Sequence, residues 1–333
     1  MRYISNNSRY DSMEYRKCGE SGLKLPKVSL GMWHNFGKND DFDNMKKMCF
    51  AAFDNGITHF DLANNYGFPH IGSAEENMGT ILKQNFLHYR NELVISTKAG
   101  YRMWEGPYGD FGSRKYLLSS LDDSLKRLKL DYVDIFYHHR PDPDTPLYET
   151  IGALDQAVKS GKALYAGLSN YDGKTMEEAV KIFNELKCPF VINQNRYSIL
   201  DRTIENNGLL KSAEKQGKGV IVFSPLAQGV LTDKYLKGIP KDSRISKSGI
   251  YLKESNITPA LLGKVEKLNN IAKERGETLA QMALSWVLCK EQVTSVLIGA
   301  SRPRQILENV KILKSKKFSE DELRLIDEIS KEG

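Results

Sequence analysis

The sequence predicts a (β/α)8 barrel of the TIM type, and three observations favour this α/β fold class. Eight short runs are rich in Val, Ile, Leu or Phe on both faces, as in strands that are covered on both sides. Helical patterns alternate with these runs along the chain. The length of 333 residues is compatible with one such barrel. An open doubly wound sheet, which usually has about five or six strands, is the less favoured alternative.

The predicted strands and helices follow one another in strict alternation. Apolar runs bounded by turn residues predict strands, and apolar residues at three- and four-residue steps predict helices. The predicted strands cover residues 28–32, 59–63, 93–98, 133–139, 163–169, 190–195, 219–225 and 295–300. The predicted helices cover residues 42–55, 73–89, 113–127, 147–160, 172–187 and 202–216.

Three further segments complete the predicted single domain of residues 1–333. Residues 13–26 resemble a short N-terminal hairpin that plugs one mouth of the barrel. Residues 233–292 are predicted to form a long loop and two helices after the seventh strand. Connections of this kind lie on the C-terminal face of a barrel, where active sites are built, so the segment is either a cover for a ligand or a helical brace. Residues 319–332 predict a closing C-terminal helix.

Composition and charge exclude several classes of protein. Lys and Arg total 48 against 42 Asp and Glu, and 40% of residues are hydrophobic, which excludes a disordered or fibrous chain. The basic excess is spread along the chain, which argues against nucleic-acid binding. No apolar run approaches the roughly 18 residues of a membrane span, and no signal segment is found, so we expect a cytoplasmic protein without a membrane partner. The four cysteines include no CxxC pair, so neither disulfides nor a metal site are predicted.

Four polar residues lie at or just beyond the ends of neighbouring predicted strands. They are Asp61, Tyr66, Lys98 and His139. A Lys within an apolar strand needs a buried carboxylate partner, and Asp61 on the neighbouring strand can supply one. A positive charge beside Tyr66 stabilises its phenolate, which makes the hydroxyl a stronger acid. Each residue alone is explained by a structural role, but together they predict protonation of a carbonyl oxygen during hydride transfer, or the reverse reaction.

Eight segments resemble the aldo-keto reductase family, in order and over essentially the whole chain. They are FDLANNYG (60–67), GSAEENMG (72–79), LVISTK (93–98), LDYVDIFYHHRPDP (130–143), GLSNY (167–171), NQNRYS (193–198), SPLAQGVLTDKY (224–235) and IGASRPRQILENV (298–310). Within the family, the chain is similar to the branch of the voltage-gated potassium channel β subunits and the L-glyceraldehyde 3-phosphate reductases. The segment GMWHNFG (31–37) favours the latter. The resemblance implies a TIM barrel and an NADP(H)-dependent oxidoreductase.

The resemblance also implies a catalytic role for each of the four strand-end residues. Tyr66 is the implied proton donor, and Lys98, held by Asp61, is its electrostatic modifier. Strand residues alternate between faces, so only one of His138 and His139 can point into the mouth, and the family register places His139 there to orient the carbonyl. The channel β subunits have Asn at this position. His therefore favours an enzyme, and a slow-turnover NADP(H)-sensing regulatory subunit is the alternative.

A nicotinamide cofactor is implied along the C-terminal mouth, although the sequence contains no GxGxxG loop. Contacts to the carboxamide and nicotinamide ring are implied for Ser169, Asn170, Gln194 and Phe223, and Trp33 is a further cofactor contact. The residues implied at the pyrophosphate are Ser224, Pro225, Leu226, Gln228, Gly229, Lys234 and Arg244. Those implied at the adenosine end are Gly299, Ser301, Arg302, Gln305, Glu308 and Asn309. As an alternative, Phe223 is an ordinary core residue.

The position of Ala300 bears on the choice between NADP(H) and NAD(H). Many family members carry a Lys there that binds the 2′-phosphate, so this chain lacks part of the usual clamp. Arg302, with Ser301, is expected to replace it, because guanidinium binds phosphate through a bidentate fork. We therefore expect NADP(H).

Five residues are expected to rim the mouth and contact the substrate. They are Trp33, Tyr101, Arg102, Trp104 and Arg140. Aromatic walls with guanidinium groups suit a small polar or phosphorylated aldehyde, of the L-glyceraldehyde 3-phosphate or methylglyoxal type. Alternatively, the two Trp residues pack a loop against the barrel. Relatives in this branch form tetramers or octamers, so a homo-oligomer is expected.

Overall fold

A closed barrel of eight parallel strands forms the centre of the computed structural model, which describes residues 3–236, 238 and 252–332. A two-stranded antiparallel hairpin precedes it, formed by β1 (Tyr15–Lys17) and β2 (Lys24–Pro26). The barrel strands are β3 (Val28–Gly31), β4 (His59–Asp61), β5 (Val94–Ala99), β6 (Val133–His138), β7 (Ala163–Ser169), β8 (Phe190–Arg196), β9 (Gly219–Phe223) and β10 (Val293–Ile298). Neighbouring strands pair in chain order, and β10 closes the ring by pairing with β3.

Helices connect the strands and pack around the barrel. The α-helices are α1 (Phe42–Phe53), α2 (Ser73–Ile81), α3 (Arg114–Leu128), α4 (Leu147–Lys159), α5 (Gly173–Leu186), α6 (Thr203–Asn206), α7 (Leu209–Lys215), α8 (Pro259–Glu274), α9 (Leu279–Leu288), α10 (Pro303–Val310) and α11 (Glu320–Lys331). A π-helical turn covers Leu82–Phe86, and 3-10 turns cover Leu87–Glu92, Ala227–Gly229, Asp233–Tyr235, Glu254–Asn256 and Lys311–Lys314.

The predicted alternation of strands and helices is confirmed, with two differences in the helices. The predicted helix 73–89 is α-helical only to Ile81 and continues as π-helical and 3-10 turns. The predicted helix 202–216 is divided into α6 and α7. Gly208 causes the division because its φ of 81° lies in the left-handed region, which interrupts the helical hydrogen bonds.

The barrel interior is polar on one side and apolar on the other. Strand side chains alternate, so every second residue points inward. Inward residues of β6, β8, β9 and β10 form an apolar cluster that includes Ile135, Tyr137, Ile192, Ile221 and Leu297. On the side of β3, β4 and β5, hydrogen-bonded polar side chains fill the interior instead. Asp61 at the end of β4 and Lys98 in β5 therefore stand on the polar side.

The hairpin closes the base of the barrel. Cys18 and Leu25 are fully buried and belong to the interior cluster. The backbone N–H of Glu20 donates to the carbonyl oxygen of Gly217 at 2.9 Å, just before β9 begins. The predicted N-terminal hairpin is therefore confirmed, and it covers the end of the barrel opposite the C-terminal ends of the strands.

The segment after β9 supplies two outer helices, α8 and α9, as predicted. Arg275 at the end of α8 joins them to the C-terminal helix α11. Its Nη1 lies 2.8 Å from Glu322, its Nη2 donates to the Lys316 carbonyl at 2.6 Å, and its guanidinium stacks 3.8 Å from the Phe318 ring centroid. Within the ranges that the structure describes, no helix is long and apolar enough to cross a membrane.

We expect Gly79 in α2 to tolerate no side chain. A Cβ there would lie 2.1 Å from the carbonyl oxygen of Arg127 on α3. Gly79→Ala should therefore lower the free energy of unfolding by about 1–3 kcal/mol. The matched control is Gly263→Ala in α8, where a Cβ meets nothing within 4 Å. This variant should raise the free energy of unfolding by up to about 1 kcal/mol through helix propensity. Urea unfolding followed by circular dichroism measures both, and equal effects would contradict the packing argument.

Candidate functional site

The four strand-end residues singled out by the sequence meet at the C-terminal mouth of the barrel. Asp61 is the last residue of β4, Lys98 lies near the end of β5, and His139 directly follows β6. Tyr66 lies in the connection between β4 and α2. Parallel strands bring their C-terminal ends to one edge, so residues from three separate segments of the chain become neighbours.

Asp61 and Lys98 form a buried ion pair. The Nζ of Lys98 lies 2.6 Å from Asp61 Oδ2 and also donates to the Leu62 carbonyl oxygen at 2.6 Å. The two side chains are 2% and 0% exposed. Burial lowers the pKa of Lys98 from its ordinary value, and the Asp61 carboxylate opposes this shift. The partner charge is therefore what keeps a buried ammonium protonated.

Tyr66 receives a hydrogen bond from this ammonium. Lys98 Nζ lies 3.3 Å from Tyr66 Oη and 5.0 Å from the centroid of its ring. The Tyr66 side chain is half-buried, with Trp33 at 6.5 Å and His139 at 6.0 Å between ring centroids. A cation that donates to a phenolic oxygen stabilises a negative charge on that oxygen.

His139 faces the mouth, whereas His138 faces the surrounding helices. The His139 ring packs edge-on against Tyr101 at 4.6 Å. Burial, together with the charge of Lys98, lowers the pKa of His139 well below its ordinary value, so the ring is neutral. The Nδ1 of His138 instead lies 2.7 Å from Tyr171 Oη. This is the orientation that the family register implies.

Three residues at the ends of β7 and β8 lie beside the pair. Asn170 has a φ of 62°, and its Nδ2 donates to the His139 carbonyl oxygen at 2.9 Å. Ser169 is buried, with its Oγ 3.2 Å from the same Asn170 nitrogen. Gln194 points down into the barrel, where its Nε2 donates to Asp61 Oδ1 at 3.1 Å. Gln194 therefore supports the ion pair, a contact that the sequence did not predict.

The turn after β9 carries most of the residues predicted at the pyrophosphate. Phe223 ends the strand, half-buried against the apolar interior cluster. Ser224, Ala227 and Gln228 have φ values of 54°, 45° and 59°. Closely spaced left-handed residues form concave backbone surfaces that suit anions. Pro225, Leu226 and Gly229 belong to this turn, Lys234 lies in the 3-10 turn after it, and Arg244 lies outside the described residues.

The residues predicted at the adenosine end lie where β10 leads into α10. Both the backbone N–H and the Oγ of Ser301 are bonded to Gln305 Oε1, at 2.7 and 3.1 Å. The carbonyl oxygens of Ala300 and Ser301 accept from Asn35 and Asn44, which anchors this connection to the region around α1. Gly299 and Arg302 are exposed, Glu308 pairs with Lys311, and Asn309 is buried.

The predicted rim residues differ in their contacts and in how exposed their side chains are. Arg140 lies between the rings of Tyr101 and Phe111, 4.4 and 4.1 Å from their centroids. Its Nη2 lies 2.7 Å from Asp110 and its Nε donates to the Gly100 carbonyl at 2.8 Å, so it organises the loop after β5. Trp104 is 37% exposed and packs 5.2 Å from Tyr116. Arg102 is exposed and pairs with Glu105.

Arg196 is a rim residue that the sequence analysis missed. It ends β8 two residues after Gln194, so strand alternation gives both the inward direction. Its guanidinium lies 5.9 Å from the Phe223 ring centroid and 4.0 Å from Asp201, and its side chain is 56% exposed. The two-residue step from Gln194 was the available signal.

Metal ligands and reactive thiols are not features of the described mouth. The part of the chain that the structure describes contains no cluster of three or more His, Cys, Asp or Glu able to hold a metal ion. The four cysteines are free, and three of them are buried. Burial raises the pKa of Cys18 and Cys188 to about 12, so both remain thiols at neutral pH.

The chain is similar to known proteins over almost all of its length. The model described as "Aldo/keto reductase family" matches residues 27–331. Over 336 residues, the chain is 52% identical to L-glyceraldehyde 3-phosphate reductase of Escherichia coli (strain K12), covering 100% of this chain and 97% of that protein. Over 306 residues, it is 37% identical to the probable voltage-gated potassium channel subunit beta of Oryza sativa subsp. japonica, covering 90% of this chain and 91% of that protein. The family resemblance and the branch are confirmed.

Buried histidines should make stability depend on pH. Burial lowers the pKa of both His59 and His138 to about 4, whereas the unfolded chain binds these protons near pH 6.5. Because the unfolded state binds more protons in this window, the free energy of unfolding should fall as pH decreases from about 6.5 to 4. We expect a loss of about 2 kcal/mol per histidine between pH 7 and 5.

Urea unfolding of His138→Gln at pH 7 and at pH 5 measures how much this histidine contributes to the pH dependence of stability. The loss of stability between the two pH values should be smaller than in the wild type by about 2 kcal/mol. His70→Gln, at an exposed histidine, is the control for replacing an imidazole by an amide. An unchanged dependence in His138→Gln would show that folded His138 binds its proton normally.

Proposed function

Since the chain belongs to the aldo/keto reductase family, we propose that it reduces small polar or phosphorylated aldehydes to alcohols with NADPH. The protein is an oxidoreductase that acts on aldehydes, and its family uses a nicotinamide cofactor. The proposed reduction of aldehydes rests on the 3.3 Å hydrogen bond from Lys98 Nζ to Tyr66 Oη. The ammonium that makes this bond is itself buried against Asp61. This contact provides a proton donor beside an open mouth.

The described residues fit a dinucleotide held without a Gly-rich loop. The left-handed turn at Ser224, Ala227 and Gln228 suits a pyrophosphate. The N-terminus of α10, preceded by exposed Arg302, suits the 2′-phosphate of NADP(H). When bound, the nicotinamide supplies the hydride that reduces the carbonyl carbon.

The chain's own groups handle the proton and the developing charge. Tyr66 donates its proton to the carbonyl oxygen, and the Lys98 ammonium stabilises the phenolate that remains. Asp61 keeps Lys98 charged. Neutral His139, beside Tyr66, orients the carbonyl by hydrogen bonding without adding a second positive charge. In the reverse reaction, the same phenolate accepts a proton from the alcohol.

The substrate class is proposed from the cations of the rim. Arg140 is held by Asp110 and two aromatic rings, so it shapes the mouth and is not the proposed phosphate ligand. Arg196 and Arg102 are exposed cations on the same rim. Together with Tyr101 and Trp104 they suit a short aldehyde with an anionic end, and the relative's name points to L-glyceraldehyde 3-phosphate. Methylglyoxal is a second, uncharged candidate of similar size.

A slow-turnover NADP(H)-sensing subunit is the alternative, in view of the similarity to proteins named as channel β subunits. The neutral histidine at the mouth favours the reductase, because it provides a second group to orient a carbonyl. A cytoplasmic location and a homo-oligomer remain predictions from the sequence.

Tyr66→Phe should abolish turnover and preserve cofactor binding. Only the proton donor is removed, so kcat should fall by about 10²-fold or more while the Kd for NADPH changes little. The measurements are NADPH and NADH oxidation with methylglyoxal and L-glyceraldehyde 3-phosphate, and cofactor fluorescence titration. Rapid oxidation of NADPH by the wild type supports the reductase. Tight NADPH binding with negligible turnover of all aldehydes would favour the sensing subunit, and full activity in Tyr66→Phe would refute the role of the tyrosine.

Arg196→Ala should raise KM selectively for the phosphorylated aldehyde. Losing a charged hydrogen bond to phosphate should raise KM for L-glyceraldehyde 3-phosphate by about tenfold. The KM for methylglyoxal should be unchanged, because this aldehyde carries no phosphate. Arg324→Ala on exposed α11 is the matched control. An equal rise for both aldehydes would indicate a general change in the mouth and contradict a phosphate contact.

A further inference from the structure

A continuous chain of buried hydrogen bonds runs through the barrel beneath the ion pair. It links side chains of β10, β3, β4 and β5. From the base to the mouth its members are Ser295, Ser29, His59, Ser96 and Asp61, with successive separations of 2.7, 3.0, 2.9 and 2.7 Å. Asp61 is 2% exposed and the other four side chains are 0% exposed.

These residue types are unusual for the interior of a barrel. Bulky branched side chains usually fill such an interior, as they do on the other side of this one. Buried hydroxyl and imidazole groups are costly unless they are hydrogen-bonded, and each group here has partners. The chain of hydrogen bonds ends on the carboxylate that holds Lys98.

The upper half of the chain has only one arrangement of hydrogens that fits an ionised Asp61. A carboxylate can only accept, so the single hydrogen of the Ser96 hydroxyl points to Asp61 Oδ1. Ser96 Oγ must then accept from His59 Nε2, which lies 2.9 Å away. His59 therefore carries a hydrogen on Nε2.

The lower half follows from the neutral state of His59. Burial lowers its pKa to about 4, so at neutral pH Nδ1 carries no hydrogen and accepts. Ser29 must donate to Nδ1 at 3.0 Å, and Ser295 must then donate to Ser29 at 2.7 Å, which is a closer acceptor than the Lys27 carbonyl oxygen at 3.4 Å. Every donor in the chain thus points towards Asp61.

We infer that Ser96 and His59 are positioning residues for the reaction proposed above, and that their aligned hydrogen bonds keep Asp61 ionised and Lys98 charged beside Tyr66. In a desolvated pair, the proton of the ammonium can pass to the carboxylate and leave two neutral groups. Donors aimed at the carboxylate replace lost water and favour the charged form. A charged Lys98 is the form that makes Tyr66 an effective acid.

Other titratable groups surround the ion pair, but their charge states do not take over the role proposed for this chain of hydrogen bonds. Those facing it from adjacent elements are Tyr66, Glu75 of α2, Tyr137 of β6 and His139, and the charge of Arg140 acts on His139. Glu75 pairs with Arg127 at 2.7 Å and Arg140 with Asp110. Burial raises the pKa of Tyr137 well above its ordinary value and lowers that of His139, so both are neutral.

The first test needs no catalytic activity. Nitrogen-15 NMR of the histidine rings in the whole protein distinguishes the two tautomers, and the His59 signals are assigned by their loss in His59→Gln. We expect His59 to be neutral at pH 7 with its hydrogen on Nε2. A hydrogen on Nδ1, or a charged ring, would overturn the proposed direction of the hydrogen bonds.

The second test compares pH profiles of kcat. Ser96→Ala removes the hydroxyl that donates to Asp61. We expect kcat to fall about tenfold, and the alkaline limb of the pH profile to move to higher pH by about half a unit. The direction follows because the loss of a donor makes the environment of Tyr66 less positive and its hydroxyl a weaker acid. Ser96→Thr keeps the hydroxyl and should restore the wild-type profile.

Two further comparisons separate this role from a structural one. His59→Gln keeps an N–H donor and should retain more activity than His59→Leu, which has none. Ser212→Ala, at a buried serine in α7 whose hydroxyl has no hydrogen-bond partner among the described residues, is the control and should leave the profile unchanged. Equal profiles for Ser96→Ala and the wild type would overturn the proposal.

The outcomes distinguish this inference from the proposed function on which it rests. If the wild type reduces no aldehyde, the proposed function fails. The NMR test still decides the direction of the hydrogen bonds from Ser295 to Asp61. If the wild type is active and Ser96→Ala matches it in kcat and pH profile, the reductase stands and only the positioning role is lost.

Discussion

A lysine ammonium with no exposed surface is the constraint on which the rest of this site depends. An isolated buried charge is unstable in a folded protein, so Lys98 requires both a carboxylate and further acceptors. Asp61 and the Leu62 carbonyl supply them at 2.6 Å. These partners come from the end of β4, and the parallel pairing of β4 with β5 fixes their height relative to Lys98. The closed ring of strands is therefore the frame that keeps this charge in place.

The side chains next to Lys98 are arranged around its buried positive charge. Three nearby histidines, His59, His138 and His139, have lowered pKa values and stay neutral, so they add no repulsion to Lys98. Donors from Ser96 and Gln194 converge on the Asp61 carboxylate. The positive charge is thus directed to Tyr66, the group that faces the opening.

The rim is built by different means from the barrel interior. Arg140 leaves β6 just after His139 and is clamped by aromatic rings and Asp110, so a charged residue fixes the shape of the loop 100–112. Arg196, by contrast, remains largely exposed. The two rim arginines therefore lie in different environments, one held within a loop and one exposed, and their sequence positions alone do not reveal this difference.

The sequence determined the fold and the four central residues of the candidate site. The eight strands and the alternating helices follow from hydrophobic periodicity, and Asp61, Lys98 and His139 were predictable because polar residues stood at the ends of apolar strands. Hydrogen-bond partners were decided only by the tertiary structure. Gln194 donates to the Asp61 carboxylate across the barrel, and Ser295 bonds to Ser29 where β10 closes on β3, because closing the barrel makes neighbours of residues that are distant in sequence. His59 meets Ser29 and Ser96 through the register of adjacent strands. Periodicity fixes the face on which a side chain lies, whereas the partner it meets across the barrel depends on register and closure, which no local pattern encodes.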